Sequence, residues 1–193
     1  EVGRTLEKFL IALALCGAPL LSLNAGVVHQ RSSVRSATVQ LLSETILGCP
    51  EQVLVAHILP ALITLASDPD TSVRALTVPV FGLLIEHSSN REILDKTYLQ
   101  IQSIVTDVSL REHHPTLINV INALSKMAPH CDPTFREDVI VGELSTFVGY
   151  AMDQPPGSKK VELAGALVEA YSNAVYCQIS KQNITNILLP ALR

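Results

Sequence analysis

The chain has 193 residues, with 14 Lys and Arg against 18 Asp and Glu for a net charge of −4, and 48% apolar but only 4% aromatic residues with no Trp. That length is enough to bury a substantial core, and a core of Leu, Ile, Val and Ala suits close-packed helices better than an aromatic-rich β-sandwich. Mild acidity argues against nucleic-acid binding, which calls for a basic patch.

From the N-terminus, Phe9 to Leu23 is an uncharged apolar run. It is shorter than the ~20 residues a membrane-spanning helix needs, and Gly17 and Pro19 interrupt it. Glu7 precedes it and no small-residue cleavage pattern follows, so it does not read as a signal peptide. The chain starts at Glu1 and stops at Arg193 within an apolar helical pattern, which leads us to expect a piece of a longer protein. Cys16, Cys49, Cys131 and Cys177 are scattered, without a CxxC pair or a histidine at ligand spacing, and are expected to be reduced thiols of an intracellular protein. Asn183-Ile184-Thr185 matches a glycosylation acceptor, here taken as chance.

Two segments recur. Ser33-Val34-Arg35-Ser36-Ala37-Thr38-Val39 returns as Ser72-Val73-Arg74-Ala75-Leu76-Thr77-Val78, and Ile58-Leu59-Pro60-Ala61-Leu62 returns as Leu188-Leu189-Pro190-Ala191-Leu192. The first spacing is 39 residues, near one helical-pair repeat, and three periods of about 43 fill the second, of 130. Prolines able to start helices at Pro50, Pro69, Pro115, Pro133 and Pro155-Pro156, with the polar stretch Ser88 to Arg91, punctuate the chain at about half-repeat intervals. Between them the apolar residues step by three or four. The predicted stripes are Leu94, Tyr98, Ile101, Ile104 and Val105; Leu117, Val120, Ile121, Leu124 and Ala128; Ile140, Leu144, Phe147, Val148 and Ala151; and Ala164, Leu167, Val168, Tyr171, Ala174 and Val175. No sustained alternation is present, so the chain is predicted to be all-α. It is expected to form one array over residues 1–193 with approximate repeats at 4–48, 51–88, 91–129, 134–177 and, in part, 181–193.

The most informative turn is Ser67 to Arg74. Asp68 is predicted to cap the next helix, with Pro69 at its first position and Asp70 in its first turn. Pro60 and Pro190 sit inside apolar helical stretches, where proline kinks a helix; Pro79 predicts a bend in the helix after Arg74. The Asp68-Pro69 to Val73-Arg74 segment resembles the HEAT repeat, whose pattern places D-P-x-x-x-V-R between its two helices. That resemblance implies a right-handed armadillo-like α-α superhelix, kinking prolines in first helices, and an Asp–Arg ladder between turns using Asp68, Arg35 and Arg74. Val27 to Ser33 lacks the Asp-Pro, a departure from the pattern.

The runs His57 to Gly82, Ala128 to Leu144 and Lys160 to Arg193 resemble more narrowly a family of Rab-binding proteins built from a LisH domain, a coiled coil and C-terminal HEAT repeats, over roughly Ser33 to Arg193. This resemblance implies a cytoplasmic scaffold, peripheral to recycling endosomes and the trans-Golgi network. Its implied partners are a small Rab GTPase and an oxysterol-binding lipid-transfer protein, with a role in cholesterol transport.

Nothing catalytic is expected. His113-His114 reads as a solvated helix start. His29, His57, His87 and His130 form no ligand set. Glu137-Asp138 and Glu143 read as a solvated helix face, and Lys159-Lys160 as part of a turn rather than a membrane patch. No nucleophile elbow or phosphate loop occurs, so neither cofactor nor metal is expected, and no direct membrane insertion. The alternative role is a structural spacer or dimerising arm, self-associating through exposed repeat ends.

Overall fold

In a computed structural model, residues 18–176 and Thr185 are described. Pro190, Cys16, Cys177, Asn183-Ile184 and the partial repeat at 181–193, apart from Thr185, lie outside them. The described residues form helices joined by turns, with no strand among them. The chain divides into two compact units, residues 1–100 and 101–193.

In the first unit α1 (Ala18–Val27) and α2 (Ser32–Ile46) form a pair. They are followed by α3 (Glu51–Val53), a π-helical turn (Leu54–Ile58), α4 (Leu59–Ala66) and α5 (Thr71–His87). The helix α6 (Arg91–Val105) carries the boundary between the units. The second unit continues with a 3₁₀ turn (Val108–Glu112), α7 (His114–Met127) and a 3₁₀ turn (Ala128–His130). Then come α8 (Pro133–Phe135), a π-helical turn (Arg136–Val141), α9 (Gly142–Asp153) and α10 (Ser158–Tyr176).

Short polar side chains start these helices. Asp70, Asp107 and Asp132 each accept a hydrogen bond from the backbone N–H two residues on, at 2.9, 2.9 and 3.0 Å, satisfying donors that a helix start leaves free. Asn90 does the same for α6, accepting from Glu92 N at 2.9 Å. The cap of α5 is therefore Asp70 and not Asp68, and Pro69 lies in the turn before the helix rather than at its first position. The reason is that Asp68 is taken up by the turn itself, where its Oδ1 accepts the Asp70 N–H at 2.8 Å. Pro79 sits within the continuous helix α5.

Pro60 is the second residue of α4, directly after a π-helical turn. A second π turn occupies the corresponding place after Pro133, yet Arg136–Val141 contains no proline. Proline alone therefore does not cause this feature. Each π turn inserts one extra residue, so the buried set steps from Leu54 and Ile58 to Leu59, Leu62 and Leu65, and from Ile140 to Val141, Leu144 and Phe147.

The cores are mainly aliphatic. In the first unit α2 packs mainly on α5, and Leu42, Leu62, Leu65, Val73, Phe81 and Leu84 are buried between the helices. In the second α7 packs mainly on α10, with Leu117, Val120, Leu124, Leu144, Phe147 and Leu163 inside. Each such side chain contributes about 1.5–3 kcal/mol when fully buried. Two predicted stripes turn by one residue. In α6 the buried set is Ile93, Thr97, Ile101, Ile104 and Val105, with Leu94 and Tyr98 half-buried. In α10 it is Leu163, Leu167, Ala170, Tyr171 and Ala174, while Ala164 and Val168 are exposed. Leu163 is fully buried where the smaller Ala164 is exposed, so the bulkier of these two neighbours faces inward.

Candidate functional site

The recurrence of Ser33 to Val39 at Ser72 to Val78 has a physical counterpart in the first unit. Arg35 Nη1 donates to the carbonyls of His29 and Gln30 at 2.8 and 3.0 Å. Arg74 Nη1 donates to those of Asp68 and Pro69 at 2.7 and 3.2 Å. Each arginine thus reaches back to the same two places before it and closes the turn ahead of its own helix. Arg35 also donates from Nε and Nη2 to both carboxylate oxygens of Asp68, the latter at 2.8 Å. Asp68 is buried, and its hydrogen bonds hold the Arg35 guanidinium above its usual pKa, against the opposing effect of burial. The pair ties the turn before α2 to the turn before α5.

A second link in this unit joins Asn90 Nδ2 to Glu51 Oε1 at 2.6 Å, so the starts of α3 and α6 lie side by side. In the second unit two links share one sequence offset: His114 Nε2 to Glu162 Oε2 at 3.3 Å, and Asn173 Nδ2 to Ser125 Oγ at 2.8 Å. One stands near each end of the helices, so α7 and α10 run parallel and in register. His114, half-buried and paired, is not the free solvated residue the sequence suggests.

Several polar residues go beyond what the sequence signals. Arg136 is buried, and its Nη1 lies 3.5 Å from the carbonyls of Ala128 and Cys131 at the end of the preceding helical segment. Tyr150 donates to the Arg111 carbonyl at 2.8 Å. Burial pushes the Glu143 carboxyl above its ordinary value, with Arg111 acting in the opposite sense. These contacts brace one helix on another and bring no reactive groups together. Among the described residues no group of three His, Cys, Asp or Glu is placed to hold a metal, and no helix is long and apolar enough to cross a membrane. Of the cysteines, Cys49 is half-buried and Cys131 buried.

A cleft and an apolar flank stand open among the described residues. A cleft of about 280 Å³ lies in the first unit where α2 and α5 end. Ile46 and Leu47 line it from α2 and Leu84, His87 and Ser88 from α5; Cys49, Glu51 and Leu54 close the other side. In the second unit Val161 and Val168 of α10 are 71% and 62% exposed, with Ala164 between them on the same flank.

Among the described residues the class is all-α: capped helices braced by turn-closing arginines and carrying open apolar features. More specifically, residues 20–193 match the family described as the RAB11-binding protein RELCH C-terminal domain, and the chain belongs to that family. It is 32% identical to a RAB11-binding protein RELCH homolog of Xenopus tropicalis, 32% to the RAB11-binding protein RELCH of Mus musculus and 31% to that of Homo sapiens, in each case over 97% of this chain. The chain spans only 17–18% of the length of these relatives. No solved structure matches it.

Proposed function

We propose that the chain is a non-catalytic scaffold that binds a Rab11-type GTPase. Its membership of a family whose relatives are named RAB11-binding carries this reading. In the finer form, the helical pairs make a HEAT-like right-handed array with Asp68, Pro69, Arg35 and Arg74 as its turn and ladder residues and Pro60 and Pro190 in its first helices. The array links the GTPase to an oxysterol-binding lipid-transfer protein. Acting from the cytoplasmic side, it supports cholesterol transfer from recycling endosomes to the trans-Golgi network. The recurrence of turn-closing arginines and of offset-matched interhelical bonds supports the repeat reading. Pull-down of GTP-loaded and GDP-loaded Rab11, and of the lipid-transfer protein, tests it. Retention of GTP-loaded Rab11 is expected, and binding of neither protein sinks the assignment to this segment.

A second reading, a dimerising arm, draws on the open apolar flank of Val161, Ala164 and Val168. Light scattering at high micromolar concentration decides it, a monomer counting against self-association.

A further inference from the structure

We propose that the cleft at the shared end of α2 and α5 receives a lysine or arginine side chain of a partner polypeptide. The inference rests on the protein-binding reading above and assigns it a contact.

Three properties of the cleft select this occupant. At about 280 Å³ it falls below the ~300–1,000 Å³ of small-molecule sites, so it suits one long side chain rather than a cofactor. Its walls are mixed, with Glu51, His87 and Ser88 beside the aliphatic Leu47, Leu54 and Leu84, and no Lys or Arg lines it. Leu47 is 62% exposed although it faces this hollow, so apolar surface is available to a visitor.

The cleft is mainly negative in character, although the start of α3 at Glu51 and the His87 side chain also border it. The last residues of α2 and α5, Ile46 and His87, both border it, which brings two partially negative helix C-termini to one place. Glu51 adds a full carboxylate, held by the Asn90 amide at 2.6 Å. Burial raises the Cys49 thiol, which keeps it protonated and neutral beside them. A purely apolar side chain would desolvate Glu51 without compensation, and an anion would meet like charge. A lysine or arginine satisfies both demands, laying its methylene stem on Leu47 and its cation at Glu51 and the helix ends.

The test is an amide chemical-shift titration of the whole chain with Nα-acetyl-argininamide, set against Nα-acetyl-norleucinamide, which keeps an aliphatic stem but has no charge. The arginine probe is expected to shift the amides of Leu47, Cys49 and Ser88, and Glu51→Gln to weaken that response about five-fold. Glutamine retains an acceptor for Asn90, so the fold is kept. An equal response to the two probes, an unchanged response in Glu51→Gln, or no shift at the cleft overturns the proposal. Rab11 binding is measured in parallel. Loss of Rab11 binding with an intact arginine response strikes the functional reading alone, and Rab11 binding without a cleft response strikes the cleft alone.

Discussion

Arg35 of α2 and Asp68 in the turn before α5 share two hydrogen bonds, while the Asp68 carbonyl is itself held by Arg74. One aspartate thus receives an arginine from each of two helices, through its side chain and its backbone. Its Oδ1 also accepts the Asp70 N–H, so the residue gathers both arginines and the start of α5 at a single buried point.

Removing that point is costly. Asp68→Ala leaves Arg35 and the Asp70 N–H without their acceptor, and the expected outcome is a fall of about 5–15 °C in the unfolding midpoint. Arg35→Lys is not expected to substitute, because a single ammonium does not reproduce the two-nitrogen grip of guanidinium on carboxylate. Thermal unfolding of both variants checks this; a midpoint within roughly 2 °C of the parent, the effect of a neutral surface change, would show the pair to be incidental.

Asp70 governs the acid limb of stability. Its pKa is lowered chiefly by the Ser72 N–H, with burial opposing. A carboxylate depressed in the folded state stabilises the fold above its unfolded value and loses that contribution as pH falls through the folded one. Asp70→Ala is expected to cost about 1 kcal/mol at pH 7 and less at pH 3. Asp70→Asn, which caps without charge, is expected to recover most of the loss and flatten the difference. Urea denaturation between pH 3 and 7 reads both, and a pH-independent Asp70→Ala effect would contradict the charge argument.

The legible part of the fold was what repeats locally. Helix period, proline punctuation and the Arg35/Arg74 recurrence all act within a few residues, so they survive in a single sequence. The rotation of the α10 stripe was not legible, because it depends on which residue meets α7. Asp68 and Asp70 were exchanged in role for a similar reason: both are capping residues beside Pro69, and only the distant Arg35 decides which one stays in the turn. The cleft joins residues from three segments, and His114–Glu162 and Ser125–Asn173 each connect two separate helices, so spacing within one helix carries no sign of them. The π turn at Arg136–Val141, lacking a proline, left no local signal either.

Gly26 is held to its size by Thr38. A Cβ built on Gly26 would lie 2.5 Å from Thr38 Oγ1, and that hydroxyl is anchored on the Val34 carbonyl at 2.9 Å. Gly26→Ala therefore forces α1 away from α2 or displaces the hydroxyl, at an expected ~1–3 kcal/mol. Thr38→Ala is expected to relieve the clash, so the double variant should be more stable than the two single losses summed. Strict additivity would show that the helices do not approach closely there.

Glu143 works in the opposite sense to Asp70. Burial raises its carboxyl above the ordinary glutamate value of 4.5, so the fold disfavours its charged form. The stability linked to this group is fully present below that value and is lost as pH rises through the folded one. Glu143→Gln is accordingly expected to stabilise the chain slightly at pH 7, by about 0.5 kcal/mol or less for a half-buried site, and to do nothing at pH 3. Chemical denaturation at the two pH values measures it, and a destabilised variant at pH 7 would mean that the Arg111 attraction outweighs burial.

The parallel register of α7 and α10 offers the most direct check on the helical-pair reading. Asn173 donates to Ser125 at 2.8 Å, and Ser125 is buried, so each partner shields the other from an unmet polar contact. Ser125→Ala and Asn173→Ala are each expected to cost about 1 kcal/mol, and the double variant little more than either alone, a coupling of about 0.5–1.5 kcal/mol. The same cycle on His114 and Glu162 should give a smaller coupling, since Glu162 is largely exposed and solvent screens that end. Coupling at the Ser125 end and not at the His114 end would mean that only the C-terminal halves are in register. Absence of coupling at both ends would remove the parallel alignment, and with it the strongest structural support for stacked helical pairs in this unit.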